Sequence, residues 1–257
     1  MILARPVALM RRNVNAYARH RLMLASGGLE PLLYLAGIGL GVGALVGEVT
    51  TDTGTTVPYA VFVAPALLAT SVMNGAVIDT TFAVFYRLRF ARLYDSVLAT
   101  PLGPADVARG ELGWAMVRGL LYAVSFLVVL GVAGLLRSWW AVLALPAALG
   151  VGWAFAGLGL AVVTWLRTWQ DTQVVQTALL PVFLFSATFF PAATYPESVR
   201  WLLWASPLYH GNELVRALCL GEVDRPAVLA AHAAVLAALG LAGLLIAERR
   251  LARLLLR

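Results

Sequence analysis

Long runs of residues without a charge restrict the fold of this chain more than any other feature of its sequence. One such run, 139–166, is longer than the about 20 apolar residues that cross a lipid bilayer. Of the 257 residues, 61% are hydrophobic and only 12% are charged, whereas a soluble domain carries about a quarter charged residues. Because a water-soluble fold cannot bury that much apolar surface, we predict an integral membrane protein.

The apolar runs divide into six stretches of membrane-spanning length. We predict spans at 25–47, 59–85, 112–136, 141–166, 174–190 and 226–247. An α-helix satisfies its own backbone hydrogen bonds, which lipid cannot do. The predicted fold class is therefore all-α, with one transmembrane domain that covers residues 1–257.

Residues 1–24 precede the first span and are not predicted to cross the membrane. Apolar residues recur there at helical spacing, at positions 7, 10, 14 and 17, while Arg11 and Arg12 fall on other sides. This pattern predicts an amphipathic helix that lies at the membrane interface.

Two connecting segments differ from the spans. Segment 86–111 is charged and contains a Pro-Leu-Gly-Pro break, which predicts a short helix, a turn and the beginning of span three. Segment 191–222 is apolar, but prolines at 191, 196 and 207 divide it into pieces too short to cross. These pieces predict re-entrant or outer helices, which are tolerated at membrane depth only where protein or water satisfies their backbone ends.

The arginines predict the orientation. Five, four, one and four of them lie before span one, after span two, after span four and after span six, against four on the opposite side. Because basic residues are enriched in cytoplasmic loops, both termini and segment 86–111 are predicted to be cytoplasmic, in a multi-pass protein of the cell membrane. At the membrane surface the arginines are expected to contact anionic lipid headgroups. The sequence has no basic domain of the kind that binds nucleic acid, so we do not predict a nucleic-acid partner.

The sequence offers no recognisable catalytic centre. A P-loop places a lysine on the nucleotide phosphates, and this chain has no lysine, so it is not expected to hydrolyse ATP. His20, His210 and His232 are far apart in sequence and are predicted to lie in different compartments. We therefore predict no catalytic residue and no metal site.

Several ionisable residues lie in or near apolar segments. Glu30 begins span one and Asp79 lies in span two, and buried charges tend to face a cavity, a partner or a proton path. For Glu30 the favoured alternative is an interfacial pair with an arginine of the N-terminal segment. For Asp79, helix packing and pathway lining are equally favoured. His210, Glu213 and Arg216 follow at intervals of three, which favours an ion-paired or hydrogen-bonded helix face over metal ligands.

Three longer motifs stand out in the sequence: EPLLYL at 30–35, YDSVLATPL at 94–102 and SPLYHGNELVR at 206–216. Together with the amphipathic N-terminal helix, their order and predicted sides resemble the type-two ABC exporter permeases over nearly the whole chain. Within that family the chain most resembles the branch of nodulation lipo-chitooligosaccharide and daunorubicin-resistance exporters. Tyr209 stands where nodulation-type permeases tend to have Thr, which leaves the substrate open.

The resemblance implies a non-catalytic permease subunit that forms a dimer, preferably a homodimer, on a cytoplasmic dimer of ABC ATPases that binds ATP and Mg²⁺. The implied substrate is amphiphilic or lipid-linked: a glycolipid, a lipo-oligosaccharide or a hydrophobic drug. The implied ATPase-coupling residues are Arg11, Arg12, Arg87, Arg89, Arg92, Tyr94, Asp95, Leu98 and Pro101. The implied pathway or gate residues are Glu30, Asp79, Phe189, Phe190, His210, Glu213 and Arg216.

Two other functions are open from the sequence. One is an ion- or proton-coupled secondary transporter that uses Asp79 or Glu30. Transport driven by a proton gradient in the absence of an ATPase would distinguish it from an ABC permease. The other is a membrane enzyme or scaffold subunit, for which no nucleophile or metal cluster is recognisable.

Overall fold

The computed structural model describes residues 4–18, 33 and 35–256. Its helices are α1 (Ala4–Ala18), α2 (Leu35–Val46), α3 (Tyr59–Arg89), α4 (Leu93–Leu98), α5 (Pro104–Val132), α6 (Trp139–Val163), α7 (Asp171–Leu184), α8 (Glu197–Ala205), α9 (Pro207–Leu220) and α10 (Pro226–Leu255). Two short strands, β1 (Glu48–Thr50) and β2 (Thr56–Pro58), pair as an antiparallel hairpin between α2 and α3.

Four of these helices, α3, α5, α6 and α10, are long and apolar enough to cross a membrane. They correspond to predicted spans two, three, four and six, so a helical membrane fold is confirmed at this level. α5 begins before the predicted residue 112, because Pro104 opens it and the Gly103 amide donates to Asp106 at 2.9 Å. Proline suits the first turn, where a helical N–H would have no partner.

α3 is the central helix, and its apolar part is almost completely buried. α2, α5, α6 and α9 pack around it, while α10 packs against α6. The backbones of α6 and α10 come very close: a Cβ on Gly157 would lie 2.3 Å from the carbonyl oxygen of Gly240. Small residues permit this approach, on which helix association in lipid depends.

Predicted span one is only partly described. Glu30 lies outside the described residues, and Leu35–Val46 forms α2 beside α3. Glycines occupy alternate positions of this span from 37 to 43, and such small residues can allow close helix packing. A Cβ on Gly39 would lie 3.6 Å from Ala60 of α3, whereas Gly37 has no neighbour within 4 Å among the described residues.

The helix of predicted span five is shorter than expected. α7 ends at Leu184, so the helix itself does not reach the predicted end of the span near residue 190. The chain continues through irregular backbone over 185–190, in which Ala187 has φ 52°. Side chains of α9 bind this backbone: Asn212 donates to a carbonyl in it at 2.8 Å, and Arg216 donates to the Ala187 carbonyl at 2.6 Å. Because protein groups satisfy it, this backbone does not need to be helical.

Segment 191–222 contains two short helices, α8 and α9, as its prolines predicted, and their placement as re-entrant or outer helices stays a prediction. α8 is amphipathic and leaves Trp201 and Trp204 exposed. α9 instead packs against α3, α6 and α10. It therefore enters the bundle and brings its polar side chains into the interior.

α1 forms the predicted N-terminal helix and packs along α5. Leu9 is 2% exposed and fits against Gly110, where a Cβ would lie 2.8 Å from the Leu9 side chain. Val7 and Val14, from the predicted apolar face, are exposed. The placement of this helix at a membrane interface stays a prediction.

Candidate functional site

A groove of about 420 Å³ lies between α3 and α7, and we call it the lateral groove. Its polar lining consists of Thr70, Ser71 and Asn74 from α3 and Gln173, Gln176 and Thr177 from α7. Its apolar lining consists of Leu67, Met73, Leu179, Leu180 and Phe183. A few polar groups among apolar side chains are the usual lining of a small-molecule site, and this mixture suits an amphiphile.

Helical spacing puts the polar residues of the lateral groove on one face of each helix. Thr70 and Asn74 are one turn apart on α3, and Gln173 and Thr177 are one turn apart on α7. The α7 side chains are exposed, and exposed amides facing lipid would lack hydrogen-bond partners. The α7 face therefore points to water or to another polar surface. The sequence prediction missed these residues, although their spacing was a usable signal.

The second feature is a buried carboxylate at the end of the bundle that carries α4. Glu111 is 1% exposed and accepts hydrogen bonds from the Tyr94 hydroxyl at 2.9 Å and the Asn13 amide at 3.1 Å. It also forms an ion pair with Arg87. We call these four residues the Glu111 cluster. It joins α1, α3 and α4 to α5, and its buried charge has a cationic partner and two neutral donors.

The predicted ATPase-coupling residues divide into two groups. Arg87 and Tyr94 point inward and belong to the Glu111 cluster, and Leu98 is half-buried. The others are exposed: Arg11, Arg12, Arg89, Arg92, Asp95 and Pro101. The structure therefore presents a charged surface around α4 on a helix that is anchored from its other side.

Two local features characterise α4: a hydrogen-bond donor on its buried side and a left-handed residue directly before it. Burial, followed by the adjacent Glu111 carboxylate, raises the pKa of the Tyr94 hydroxyl well above its usual range, although Arg87 lowers it. The phenol therefore stays protonated and remains a donor. Arg92, directly before α4, has φ 44° and ψ 35°, a left-handed conformation that costs a residue with a Cβ about 1–2 kcal/mol.

Asp79 is paired inside the bundle. It lies in a π-helical turn of α3, Ile78–Ala83, and is 1% exposed. Arg118 of α5 forms an ion pair with it and also donates to the Tyr122 hydroxyl. The second Asp79 oxygen, Oδ2, makes no hydrogen bond among the described residues. Of the two alternatives for Asp79, this pairing favours helix packing.

Arg118 is a residue that the sequence prediction missed. It lies within an apolar span, 6% exposed, between α3 and α5. An arginine inside a span is itself a signal, because such a charge needs a buried partner. Without the structure, however, nothing in the sequence identifies Asp79 as that partner.

At the opposite end of α3, the polar side chains of α9 form what we call the Arg216 cluster, consisting of Asn212, Glu213 and Arg216. Glu213 and Arg216 form an ion pair at 2.6 Å, as their spacing predicted. Arg216 also donates to the Phe62 carbonyl at 3.2 Å and to the Ala187 carbonyl at 2.6 Å. The cluster thus attaches α9 to α3 and to the irregular segment after α7.

The prediction that the histidines lie in different compartments was wrong for two of them. His210 Nδ1 and His232 Nδ1 are 2.7 Å apart, because α9 packs against the beginning of α10. His20 lies outside the described residues. His232 also lines a second cavity of about 550 Å³, beside α8, and we call this the His232 cavity.

The predicted gate residues are not gathered in one place. Phe189 packs edge-on against Phe183 with ring centres 5.2 Å apart, whereas Phe190 is 54% exposed. Glu213 and Arg216 line the His232 cavity. None of the predicted pathway residues that are described lines the lateral groove.

Comparison with known proteins covers most of the chain. Residues 7–220 match the ABC-2 type transporter family. The chain is 36% identical to Nodulation protein J of Sinorhizobium fredii, over 86% of this chain and 82% of that protein. It is 32% identical to Nodulation protein J of Rhizobium leguminosarum bv. viciae, over 84% and 82% of the two chains, and 32% identical to that of Bradyrhizobium diazoefficiens, over 83% and 80%. The family match includes the lateral groove, the Glu111 cluster and the Arg216 cluster.

Proposed function

This chain belongs to the ABC-2 type transporter family, and we propose that it is the permease subunit of an exporter driven by a separate ATPase. It is a membrane protein with apolar helices of spanning length. The partner ATPase dimer would bind ATP and Mg²⁺ and supply the energy, while this subunit provides the path for an amphiphilic or lipid-linked substrate.

The observation that carries the proposal is that α4 is anchored on one side and exposed on the other. One side is held by the Tyr94–Glu111 hydrogen bond. The other side is exposed and charged, with Arg92 and Asp95 at its beginning. A short helix with this arrangement is suited to receive a partner and transmit its movement, because the Glu111 cluster connects it to α1, α3 and α5.

The lateral groove supports a path that a second copy of the chain completes. Its α7 side carries Gln173 and Gln176, whose amides need water or a polar partner. Two copies that face each other through these grooves would enclose a polar-lined passage between apolar walls. We therefore favour a homodimer, with the polar part of the substrate in the passage.

Six spans with both termini in the cytoplasm belong to the same proposal, as does the division into the 1–24, 86–111 and 191–222 segments within one permease domain. α7 has 14 residues and rises about 21 Å, short of the ~30 Å hydrocarbon core. Residues 185–190, in irregular backbone, can supply the remaining distance at about 3.3 Å per residue. Span five would then be part helix and part irregular chain.

Movement would pass from the ATPase to the path through rigid parts. ATP binding closes the ATPase dimer and displaces α4, and the Glu111 cluster transmits that displacement to α5 and α3. ATP can shift the equilibrium between two arrangements of the permease only by stabilising one of them more than the other. The α3 wall of the lateral groove is part of the same rigid unit.

The test is co-purification of this chain with a P-loop ATPase from its native membrane, followed by reconstitution of the two proteins. We expect the charge-reversed variant Arg92→Glu/Asp95→Arg to lose most ATPase binding and ATP-driven export of a fluorescent amphiphile from vesicles. Ser96→Ala, at an exposed position on the same helix, is the matched control and should bind normally.

Two results would refute the proposal. One is normal ATPase binding by the charge-reversed variant together with normal export. The other is export driven by a proton gradient in vesicles that lack the ATPase, which would support the secondary transporter. In that case Asp79→Asn should abolish the transport.

A further inference from the structure

The His232 cavity is separate from the lateral groove and shares no lining residue with it. It forms where the β1–β2 hairpin, α8, α9 and the beginning of α10 meet. Its volume of about 550 Å³ is within the range of small-molecule sites. Across the described part of the chain, no three His, Cys, Asp or Glu side chains are grouped to hold a metal ion. The contents of this cavity must therefore be inferred from its hydrogen-bonding groups.

The histidine pair determines which nitrogen of His232 is an acceptor outside the pair. His210 Nε2 lies 3.0 Å from the carbonyl oxygen of Trp204, which can only accept, so His210 Nε2 carries the proton. In a neutral ring the Nδ1 of His210 is then an acceptor. His232 Nδ1, 2.7 Å away, must donate to it. The remaining nitrogen of His232, Nε2, therefore presents a lone pair.

This acceptor has no partner within the described residues. His232 is 4% exposed and lines the cavity, and its Nε2 receives no hydrogen bond there. The His232 cavity thus offers a positioned acceptor for an O–H or N–H group that enters it.

Most charges around the cavity are already engaged. Arg216 pairs with Glu213 at 2.6 Å. Asp52 accepts from two backbone amides, at 3.1 and 3.0 Å, and Glu222 accepts from the Thr51 hydroxyl at 2.9 Å.

The remaining charges of the lining do not select an ion either. Arg200 donates to the carbonyls of Tyr195 and Ala193, at 3.0 Å each. Asp224 and Arg225, both exposed, have opposite charges. The lining contains four acidic side chains, Asp52, Glu213, Glu222 and Asp224, against three arginines, so it disfavours an anionic ligand, whereas a neutral ligand needs no further charged partner.

Aromatic rings supply the flat walls. The Trp204 and His232 rings are stacked, with centres 6.1 Å apart and planes at 16°, and Tyr209 meets His232 edge-on at 5.9 Å. Trp204 is 59% exposed, so one of its faces is accessible. Aromatic rings with a polar edge bind ligands that are apolar on one side and polar on the other.

We propose that the His232 cavity is a binding site for a neutral saccharide, with His232 Nε2 accepting a hydrogen bond from a sugar hydroxyl and Trp204 stacking on the ring. A pyranose combines an apolar C–H face with a rim of hydroxyl donors, as this lining requires. In an exporter the site would hold the headgroup of a glycolipid, and this last step alone rests on the proposed function.

The experiment measures saccharide binding to the full chain in nanodiscs without glycolipid, by saturation-transfer NMR. The probes are maltotriose, cellotriose and triacetylchitotriose, three neutral trisaccharides that differ in linkage and N-acetylation. We expect at least one to bind with a Kd in the millimolar range or tighter. Trp204→Leu retains the backbone oxygen that holds His210 but removes the stacking ring, and it should weaken binding.

Two substitutions of His232 separate ligand binding from structure. Asn places its amide where Nδ1 stood, so His232→Asn retains the hydrogen bond to His210 but removes the cavity acceptor. Gln places its amide oxygen near the Nε2 position, so His232→Gln retains the acceptor and loses the bond to His210. We expect His232→Asn to raise Kd about five- to tenfold, the effect of one lost hydrogen bond, and His232→Gln to leave it within about threefold.

Absence of binding by all three trisaccharides would refute the site. So would binding by His232→Asn equal to the wild type, or weaker binding by His232→Gln than by His232→Asn, which would indicate a structural role of the histidine pair. Binding is measured without ATP or ATPase, so its failure leaves the proposed exporter function intact. Conversely, loss of that function through the α4 variants leaves the saccharide site standing.

Discussion

The two ends of α3 are each attached to their surroundings by one buried charge, but the two charges have opposite sign. At one end the Glu111 carboxylate accepts hydrogen bonds from side chains on α1, α3 and α4. At the other end the Arg216 guanidinium donates to backbone carbonyls of α3 and of the segment after α7. The Glu111 cluster joins helices to one another. The Arg216 cluster supplies hydrogen bonds to irregular backbone, which lacks those of a helix.

This difference teaches which end can move. The partners of Glu111 are side chains, whose helices can shift together and retain their hydrogen bonds. Asn212 and Arg216 instead bind the backbone carbonyls of Ser186 and Ala187, in a segment with no helix of its own, so a shift leaves these carbonyls unpaired. We therefore expect the Glu111 end to transmit movement and the Arg216 end to resist it.

The largest expected effect comes from Arg216→Leu. It leaves the Glu213 carboxylate and two carbonyls without their partner, and breaking such a buried pair costs about 3–5 kcal/mol. The apparent Tm of the purified protein, followed by tryptophan fluorescence, should fall strongly. Arg225→Leu, at an exposed arginine, is the control and should change Tm little. An equally small change for Arg216→Leu would mean that the Arg216 end is not held as described.

Glu111→Gln should have a smaller effect on stability and a larger one on coupling. The amide oxygen still accepts from Tyr94, but Arg87 loses its charged partner, which costs about 1.5–3 kcal/mol. We expect a moderate fall in Tm and a clear loss of ATPase stimulation by substrate. Glu248→Gln is the control, because it breaks the more exposed Arg109–Glu248 pair, which contributes about 0–1 kcal/mol. It should change neither the Tm nor the stimulation of the ATPase. Normal stimulation by Glu111→Gln would show that movement bypasses this cluster.

Each end also contains a buried asparagine, which allows a matched comparison. Asn212 donates to the Ser186 carbonyl and to the Thr188 hydroxyl at 2.8 Å each, whereas Asn13 makes one bond to Glu111. Asn212→Leu should lower stability by about 1–3 kcal/mol and Asn13→Leu by about 1 kcal/mol. Asn15→Leu, at an exposed position on α1, is the control for added apolar surface. The reverse order of Tm would contradict the view that the Arg216 end is the more rigid.

The smallest effect is a dependence on alkaline pH. The raised pKa of Tyr94 means that folding favours its neutral form. This contribution is complete below the ordinary tyrosine pKa of 10.0 and is lost progressively as pH rises above it, because the unfolded state then releases the proton first.

Tyr94→Phe, which loses about 1 kcal/mol at pH 8, should therefore approach wild-type stability as pH rises beyond about 10. Thermal unfolding at a series of pH values measures this difference. Tyr86→Phe, which removes the hydroxyl of an exposed tyrosine, should match the wild type at pH 8. A difference between Tyr94→Phe and the wild type that stays constant above pH 10 would argue against a buried Tyr94 hydroxyl.

The sequence alone determined the class of the protein and the position of most helices. Apolar runs identified four long helices that the structure contains, at α3, α5, α6 and α10. The absence of lysine excluded a P-loop lysine from this chain, and the motifs at 30–35, 94–102 and 206–216 indicated the family. These features are local, because hydropathy, helix spacing and short motifs depend only on residues close together in the chain.

Only the tertiary structure decided which side chains meet. Asp79 pairs with Arg118, Glu111 reaches Asn13 across 98 positions, and His210 contacts His232. The end of α7 also depends on tertiary contacts, because Asn212 and Arg216 donate hydrogen bonds to the irregular backbone that follows it. Such pairings depend on the rotation and depth of each helix relative to its neighbours. Hydropathy predicts only that a helix crosses the membrane, and not which residues it contacts. For this reason the prediction of six spans did not include the lateral groove. The groove forms between α3 and α7, whose relative position is a tertiary property.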